Sequence, residues 1–350
     1  MGIGSVTKRF TRPRRAELVA MITVAVLLLT GVVSAGLSLA RDVFSASAFV
    51  DTYLRAIETR DVATALSMPG VMPEGVTRQD FVAQPQNVLL TAAAMSPDLD
   101  FSIVSEDTVR GVHFVTVSSS ALSARDIVFS VTPTGSLAGL FTQWRFTTSP
   151  LGALDIKTSH ATFFSVNGFG PVDMAAVDAS VAPQDFSAAG FFSVFAPGIY
   201  ETEISSSALT SEPVTAQLRE PGSSSEVSLD AAPTPAFVDR VQQEVDDFFD
   251  GCVRQRVLLP SGCPFGIGIE NRVSGEPVWS VAAYPQVELR AGASGWEIIP
   301  VTLTLTFDAE IQSLFDGSVT SVHEEIPLTI SGSVILTASG DVTVLINRVD

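Results

Sequence analysis

The chain has few lysines, cysteines, histidines, tyrosines and tryptophans. Its 350 residues include two cysteines and three each of histidine, tyrosine and tryptophan, and its lysines are Lys8 and Lys157. Two cysteines and three scattered histidines do not make the ligand set of a structural zinc site. The sequence contains no G-x-S-x-G nucleophile elbow, no phosphate-binding loop and no dinucleotide-binding fingerprint. It therefore carries no signature of a hydrolase, a nucleotide-binding enzyme or a zinc domain.

Positive charge is also scarce, and it is concentrated at the N-terminus. The formal net charge is −18; residues 1–41 carry +5, whereas the remaining residues carry −23. Such an acidic chain repels nucleic acid and anionic surfaces, so we expect no nucleic-acid partner. We expect the excess of carboxylates to form a solvated acidic surface; attraction of cations or of a basic partner is the unspecific alternative.

The sequence contains a long uncharged run near its start. Residues 18–40 lack any charged side chain, and five cations precede them. As a helix this run would be about 35 Å long, enough to cross a bilayer core of ~30 Å. The pattern predicts a cytoplasmic tail (1–15), a transmembrane helix (16–40) and an extracytoplasmic bulk. A signal peptide cleaved after a small-residue site such as Val33-Ser34-Ala35 is the alternative.

The two cysteines are predicted to form a disulfide. Cys252 and Cys263 are the only pair in a chain that we expect to be exported, and that compartment is oxidising. The bridge would close a short loop and contribute about 2–3 kcal/mol by the loop-entropy model. Two free buried thiols are the alternative.

Residues 45–149 indicate an α+β domain. An amphipathic helix is predicted over residues 46–65, with Tyr53 and Ile57 in its apolar stripe and Asp61 as the cap of a second short helical piece. Strand-like runs follow the helical segment (101–104, 112–118, 127–131 and 140–146), and helices followed by a strand meander suit this fold class.

The rest of the chain divides into a β module and a second α+β segment. Residues 150–220 lack a helical stripe, and Asn167-Gly168 is a strong hairpin-turn signal. A Ser- and Pro-rich stretch, 221–235, is predicted to be a linker. In 236–350, Thr234 and Pro235 mark the start of a helix, and strands follow at 278–284, 286–289, 301–307, 326–330, 333–336 and 342–346.

Several segments resemble known families. FVDTYLRAIETRDVATAL, followed by GLFTQWRF, resembles NTF2-like (cystatin-like cone) domains; FFSVNGFGPV and VFAPGIYETEI resemble the small β module of TcaA-type envelope proteins. VDDFFDGCVRQRVLLPSGCPFG is similar to a segment of uncharacterised actinobacterial single-pass membrane proteins. The resemblance implies two NTF2-like domains flanking a small all-β module in an envelope protein. The chain departs from the TcaA pattern because it has no cysteine-rich zinc ribbon before the apolar run.

Candidate chemistry is sparse. His113, His160 and His323 are isolated, and Glu324-Glu325 beside His323 could form at most a weak cation site. Acid clusters occur at Asp98 and Asp100 and at Asp246, Asp247 and Asp250, and we expect them to be solvated. Trp144, Trp279 and Trp296 are expected to pack in the core or at its rim rather than to bind sugar. We predict no catalytic, cofactor-binding or metal-ligating set, and no cofactor.

These observations predict a non-enzymatic, membrane-anchored extracytoplasmic envelope protein. It would present interaction modules to the membrane, to a cell-wall polymer or to an envelope protein. One alternative is a ligand-binding or enzymatic NTF2-like cone, with Tyr53 and Asp61 as candidate groups inside it. A second alternative is a component of a secretion or conjugation complex.

Overall fold

The computed structural model describes residues 21–27, 44–122, 126–137, 141–178, 180–182, 185–336 and 342–349. About 45% of these residues are in strands and 19% in helices. They form two compact units: one contains Met1–Arg78, Asp98–Leu151 and Arg219–Gly222, and the other contains Gln79–Pro97, Gly152–Leu218 and Ser223–Asp350. We call them unit 1 and unit 2.

The predicted transmembrane helix and the single-pass localisation are contradicted. Most of the predicted span, 16–40, lies outside the described residues; 21–27 are helical, with exposed side chains. No helix in the described part of the chain has the length and apolar character that crossing a membrane requires.

Unit 1 is a helical segment packed on an antiparallel sheet. Its helices are α1 (Ala46–Glu58) and α2 (Val62–Ser67), and its strands are β1 (Ser102–Val109), β2 (Val112–Ser118), β3 (Ile127–Leu137) and β4 (Phe141–Phe146), in the order β1-β2-β3-β4. Short helix α3 (Arg78–Val82) starts at the boundary between the units.

Local capping explains why the predicted helix of 46–65 is two helices. Ser45 caps α1, and its Oγ accepts a hydrogen bond from the Ala48 N–H at 3.0 Å. Arg60 has a positive φ of 55°, which interrupts the helix. Asp61 then caps α2, accepting from the Thr64 N–H at 3.0 Å, as predicted.

Aromatic side chains fill the space between α1 and the sheet. Tyr53 is fully buried, and its ring lies 6.0 Å from that of Phe129 and 5.3 Å from that of Phe146. Its hydroxyl donates to the Pro150 carbonyl at 3.2 Å. The candidate cone residue Tyr53 is therefore a core residue of unit 1, and Asp61 is a helix cap.

Unit 2 is mostly β-structure. Its described strands are β5 (Leu151–Ser159), β6 (Phe163–Val166), β7 (Phe169–Asp173), β8 (Ser187–Phe195), β9 (Gly198–Glu203), β10 (Leu209–Thr210), β11 (Val214–Leu218), β12 (Ser224–Asp230), β13 (Ala232–Pro233), β14 (Arg272–Val273), β15 (Val278–Ala283), β16 (Leu289–Ala291), β17 (Trp296–Gln312), β18 (Val319–Leu336) and β19 (Val342–Arg348). Its helices are a 3-10 turn (Pro85–Asn87), α4 (Met174–Val177) and α5 (Pro235–Val253).

These strands form four sheets in the described residues. The orders are β11-β9-β6-β7, β12-β5-β8, β10-β13 and β14-β17-β18-β19, with β15 and β16 also paired to β17. The predicted hairpin turn at Asn167-Gly168 is present, with positive φ at both residues. The segment 221–235 contains β12, which pairs in parallel with β5.

The prediction of two NTF2-like domains is wrong. Thr234 caps α5 and Pro235 begins it, as the sequence predicts. The buried stripe of α5 (Phe237, Val241, Val245 and Phe249) nevertheless belongs to one continuous core that also contains Leu154 and Phe164 of the predicted β module. The helix therefore does not enclose a separate core with the strands that follow it, and no second cone forms.

Strands β17 and β18 form a long hairpin. Their register runs from Gln312↔Val319 to Trp296↔Val334, with a bulge between Ile298 and Val301. Leu303, Leu305 and Phe307 are buried, whereas the alternate residues of β17 lie on the opposite face. At about 3.3 Å per residue, β17 is roughly 55 Å long.

Two glycines of unit 1 give a matched test of the close approach between the segment after α2 and the end of β4. Gly70 and Gly75 both have positive φ, 88° and 80°. A Cβ on Gly70 would lie 2.8 Å from the Phe146 nitrogen and clash with its carbonyl, whereas nothing lies within 4 Å of one on Gly75. Both alanine variants share the left-handed strain, so Gly70→Ala should lower the free energy of unfolding by about 1–3 kcal/mol more than Gly75→Ala. Urea unfolding measures this; equal losses would contradict the close approach at Gly70.

Candidate functional site

The most exposed large apolar side chain in the described part of unit 2, Phe315, lies at the end of the β17–β18 hairpin. The connecting segment, Ser313–Ser318, is called the tip loop here. Phe315 is 99% exposed and Leu314 is 72% exposed. Such large apolar side chains gain about 1.5–3 kcal/mol each when they are removed from water. Packing within unit 2 does not account for the exposure of two such side chains next to each other.

Hydrogen bonds fix the conformation of the tip loop. The Ser313 N–H donates to the Ser318 carbonyl at 2.9 Å, and the Gly317 N–H donates to the Ser313 carbonyl at 3.0 Å. The Ser313 Oγ accepts from the Phe315 N–H at 3.2 Å. Asp316 Oδ1 accepts from the Ser318 N–H at 3.1 Å and from its Oγ at 2.8 Å. The two apolar side chains therefore stand on an ordered turn.

The tip loop lies in an acidic part of the hairpin. Residues 306–328 contain five Asp or Glu residues and no Lys or Arg. Within the loop, hydrogen bonds from the side chains of Ser318 and Ser313 hold the pKa of Asp316 below its ordinary value. Asp316 thus keeps its negative charge beside Phe315.

A second exposed apolar area surrounds the disulfide. Cys252, at the end of α5, is bonded to Cys263 with their Cα atoms 5.9 Å apart, which confirms the predicted pair. Trp279 Nε1 donates to the Val257 carbonyl at 2.8 Å, and the Phe265 ring packs on Trp279 at 4.9 Å. These contacts hold the disulfide-closed segment against β15. Leu259, within it, is nonetheless 72% exposed.

Beside this segment is a shallow, open groove of about 570 Å³, called the cysteine groove here. Its lining combines apolar side chains with a larger area of exposed polar atoms, and among the described residues it includes one charged side chain, Arg348, at the end of β19. The lining residues are Leu259, Gly262, Cys263, Pro264, Phe265, Gly266, Ile346, Asn347 and Arg348.

The histidines singled out in the sequence each contact a carboxylate. His113 Nδ1 lies 2.8 Å from Glu106 Oε1, His160 Nδ1 lies 2.7 Å from Asp230 Oδ1, and His323 Nδ1 lies 2.7 Å from Asp308 Oδ1. Within unit 2, His160 and His323 contact different carboxylates, and His113 of unit 1 has its own partner.

The pair formed by His323 and Asp308 joins the two strands of the hairpin, because these residues are directly opposite in the register. The hydrogen bond to Asp308 and its negative charge raise the pKa of His323, and the charge of Glu325 acts in the same direction. Glu324 is opposite Phe307 on the other face of the hairpin. His323 and Glu324 are neighbours in sequence but point to opposite faces of the hairpin. Within the described residues, no cluster of His, Cys, Asp or Glu side chains could hold a metal ion.

The acids of α5 contribute to packing. Tyr284 donates a hydrogen bond to Asp250, which raises the pKa of Tyr284 to about 12, with burial and nearby negative charge adding to the effect. Gln242 Nε2 donates to Asp246 at 2.8 Å and to the Pro285 carbonyl at 2.9 Å. Burial raises the pKa of Asp246, against the effect of that hydrogen bond. These contacts connect α5 to the segment after β15.

The tryptophans are buried, as the sequence analysis expects. Trp144, Trp279 and Trp296 expose less than a tenth of their surface. Trp144 Nε1 donates to the Phe44 carbonyl at 2.8 Å. None of the three offers a flat face to solvent as a sugar platform would.

Sequence reasoning missed the tip loop. The available signal was Asp316-Gly317 between two alternating segments, a common hairpin turn, preceded by two large apolar residues. The predicted strands at 301–307 and 326–330 stop short of it, so the segment between them received no interpretation.

Comparison of the chain with protein-family models, with curated proteins and with solved structures finds no match.

Loss of the disulfide should destabilise unit 2. The Cys252→Ser/Cys263→Ser variant removes the constraint on the unfolded chain, and the loop-entropy model gives a loss of about 2–3 kcal/mol. Urea unfolding under oxidising conditions measures the difference. A reducing agent should lower the stability of the unmodified chain and leave the variant unchanged; two alkylatable thiols in the oxidised chain would contradict the bridge.

His323 should titrate above its ordinary pKa of 6.5. A raised folded-state pKa means that the pair with Asp308 stabilises the fold fully below pH about 6.5, and this contribution is lost as pH rises through the raised value. NMR titration of the ring measures it. Asp308→Asn should return the pKa towards 6.5, with a smaller decrease for Glu325→Gln; an unshifted pKa in the unmodified chain would contradict the pair.

Proposed function

We propose that this chain is a non-enzymatic interaction protein that binds a partner protein through its tip loop. The observation that carries the proposal is the nearly complete exposure of Phe315 on an ordered turn. Aromatic side chains dominate the binding free energy of protein interfaces when a partner buries them. Because the turn is already ordered, little conformational entropy is lost when it binds.

The charge around the tip loop favours a protein over an anionic membrane as the partner. Carboxylates of Asp308, Glu310 and Asp316 lie on or near the loop, and the cation Arg272 of β14 lies opposite Gln312 in the register. Anionic lipid headgroups would repel these carboxylates, and desolvating Asp316 in lipid would be costly. A partner protein with an apolar pocket bordered by cations would bury the apolar side chains of the tip loop and pair with its carboxylates.

The alternative of a ligand-binding cone has less support. The side chains of Tyr53, Phe129 and Phe146 occupy the space between α1 and the sheet of unit 1. No observation from the described residues favours a secretion or conjugation complex over other assemblies. A cell-wall polymer as partner lacks an exposed tryptophan platform in the described residues.

Photo-crosslinking tests the proposal. With p-benzoyl-phenylalanine at position 315, the chain expressed in its native cells should form a covalent adduct with a protein on irradiation. The same group at position 335, which is 50% exposed at the other end of β18, is the control and should give no adduct.

A second substitution shows whether the adduct depends on the apolar surface of the tip. Leu314→Ser should lower the yield at position 315 about 10-fold or more, because a buried Leu contributes about 1.5–3 kcal/mol. Leu345→Ser, at an exposed position on β19, should leave the yield unchanged. Equal adducts at positions 315 and 335, or none at position 315, would contradict tip-loop binding.

A further inference from the structure

We propose that Asn167 is a site of spontaneous deamidation, and that the reaction loosens residues 85–97 from β9 within unit 2. This inference is independent of the tip loop and of its partner. It starts from the dipeptide Asn167-Gly168 in the turn between β6 and β7, and from the hydrogen bonds that the asparagine side chain makes outside that turn.

The dipeptide has the groups that the reaction needs. The backbone nitrogen of Gly168 attacks Cγ of Asn167, so that a new C–N bond forms and the bond between Cγ and Nδ2 breaks. Nδ2 leaves as ammonia with the proton that the Gly168 nitrogen gives up, and a cyclic imide remains. Water then opens the imide to aspartate or isoaspartate. Asparagine is among the thermolabile residues of proteins, and a following glycine hinders the attack least because it has no Cβ.

The turn is open to water, and it carries the asparagine with the least hindered neighbour. Gly168 is exposed, and nothing lies within 4 Å of the place that a Cβ would occupy there. Asn167 itself is half-buried. The other asparagines have larger neighbours, because Asn87 precedes valine and Asn271 and Asn347 precede arginine.

The side-chain amide of Asn167 connects segments that are distant in sequence. Its Nδ2 donates to the Ala94 carbonyl at 2.9 Å and to the Ile199 carbonyl at 3.1 Å. Its Oδ1 accepts from the Glu201 N–H at 2.9 Å. Since the nitrogen faces two carbonyls and the oxygen faces an N–H, the contacts themselves determine which end of the amide is which. One side chain thus joins residue 94 to the turn and to β9.

A second side chain attaches the same segment to β9. Ser96 Oγ donates to the Ile199 carbonyl at 2.6 Å and accepts from the Ile199 N–H at 2.6 Å. Leu89 and Ala94 of the segment are buried in the core of unit 2. Polar contacts at residues 94 and 96 therefore hold in place a segment whose apolar side chains complete that core.

Deamidation replaces a donor with an acceptor. A carboxylate at position 167 has no proton to give to the carbonyls of Ala94 and Ile199, and its oxygens would repel theirs at the same distances. Isoaspartate also lengthens the main chain within the turn. Local opening of residues 85–97 should then become more frequent, because a contact that holds the segment has become repulsive.

Peptide mass mapping of the aged full chain tests the reaction. At neutral pH the acid form should accumulate at Asn167 and not at Asn87, Asn271 or Asn347. The rate in the folded chain should be about 10-fold below that in the urea-unfolded chain, because the hydrogen bonds of the amide have to open first. No acid form at Asn167, or equal rates in the folded and unfolded chains, would overturn the proposal.

Hydrogen exchange shows whether the reaction loosens the segment. In Asn167→Asp, the backbone amides of residues 85–97 should exchange about 10-fold faster than in the unmodified chain. Asn167→Gly suits the positive φ of 49° and removes the side-chain amide without adding charge, so it should give a smaller increase. Asn347→Asp adds the same charge at an exposed position of β19; it is the control and should leave residues 85–97 unchanged.

Exchange of the buried residues of β17 separates local opening from a loss of the whole fold. These amides should stay protected in every variant. Unchanged exchange of residues 85–97 in Asn167→Asp would overturn the loosening, and so would faster exchange that extends to β17 or that Asn347→Asp shares. Faster exchange of residues 85–97 confined to the converted fraction of an aged sample would support it directly.

Discussion

Strand β17 pairs with β14, β15, β16 and β18, and most of the second half of unit 2 is organised by these pairings. Its inward residues, Leu303, Leu305 and Phe307, bury against the core that α5 also enters. A register shift of one residue would place these side chains in water and put Thr304 and Thr306 in the core, so the alternation fixes the pairing. The tip loop owes its position to this register.

The features that the sequence predicts correctly are local. Asp61 and Thr234 are followed within three residues by the N–H groups that they accept from, and Asn167-Gly168 contains the turn within itself. The disulfide joins two cysteines eleven residues apart. Each of these outcomes depends on a few neighbouring residues, so no knowledge of the tertiary arrangement is needed.

The failures concern contacts between distant segments. The stripe of α5 reveals that a face is buried but not that Leu154 and Phe164 belong to the same core. The predicted strands at 301–307 and 326–330 are shorter than β17 and β18, because Asp308, Glu310 and Glu325 have low strand propensity although they lie on the solvent face of a paired strand. Gly332 also lies within β18, where a Cβ would come 2.8 Å from the Leu345 carbonyl. Pairing with neighbouring strands determines how long a strand is and where a glycine is needed within it, and sequence composition alone does not reveal that pairing.

In the β17–β18 hairpin, the number of residues in each strand determines how far the turn projects and which face each side chain occupies. Adding two residues to each strand beyond Phe307 and Glu324 would keep every side chain on its present face and carry the turn about 7 Å further out. Adding one residue to each would invert the faces from that point onwards, so that the direction in which the turn presents its aromatic ring would reverse. Reach and orientation are therefore separable properties of this hairpin, and evolution or design can alter the first in steps of two residues without disturbing the chemistry carried at the end.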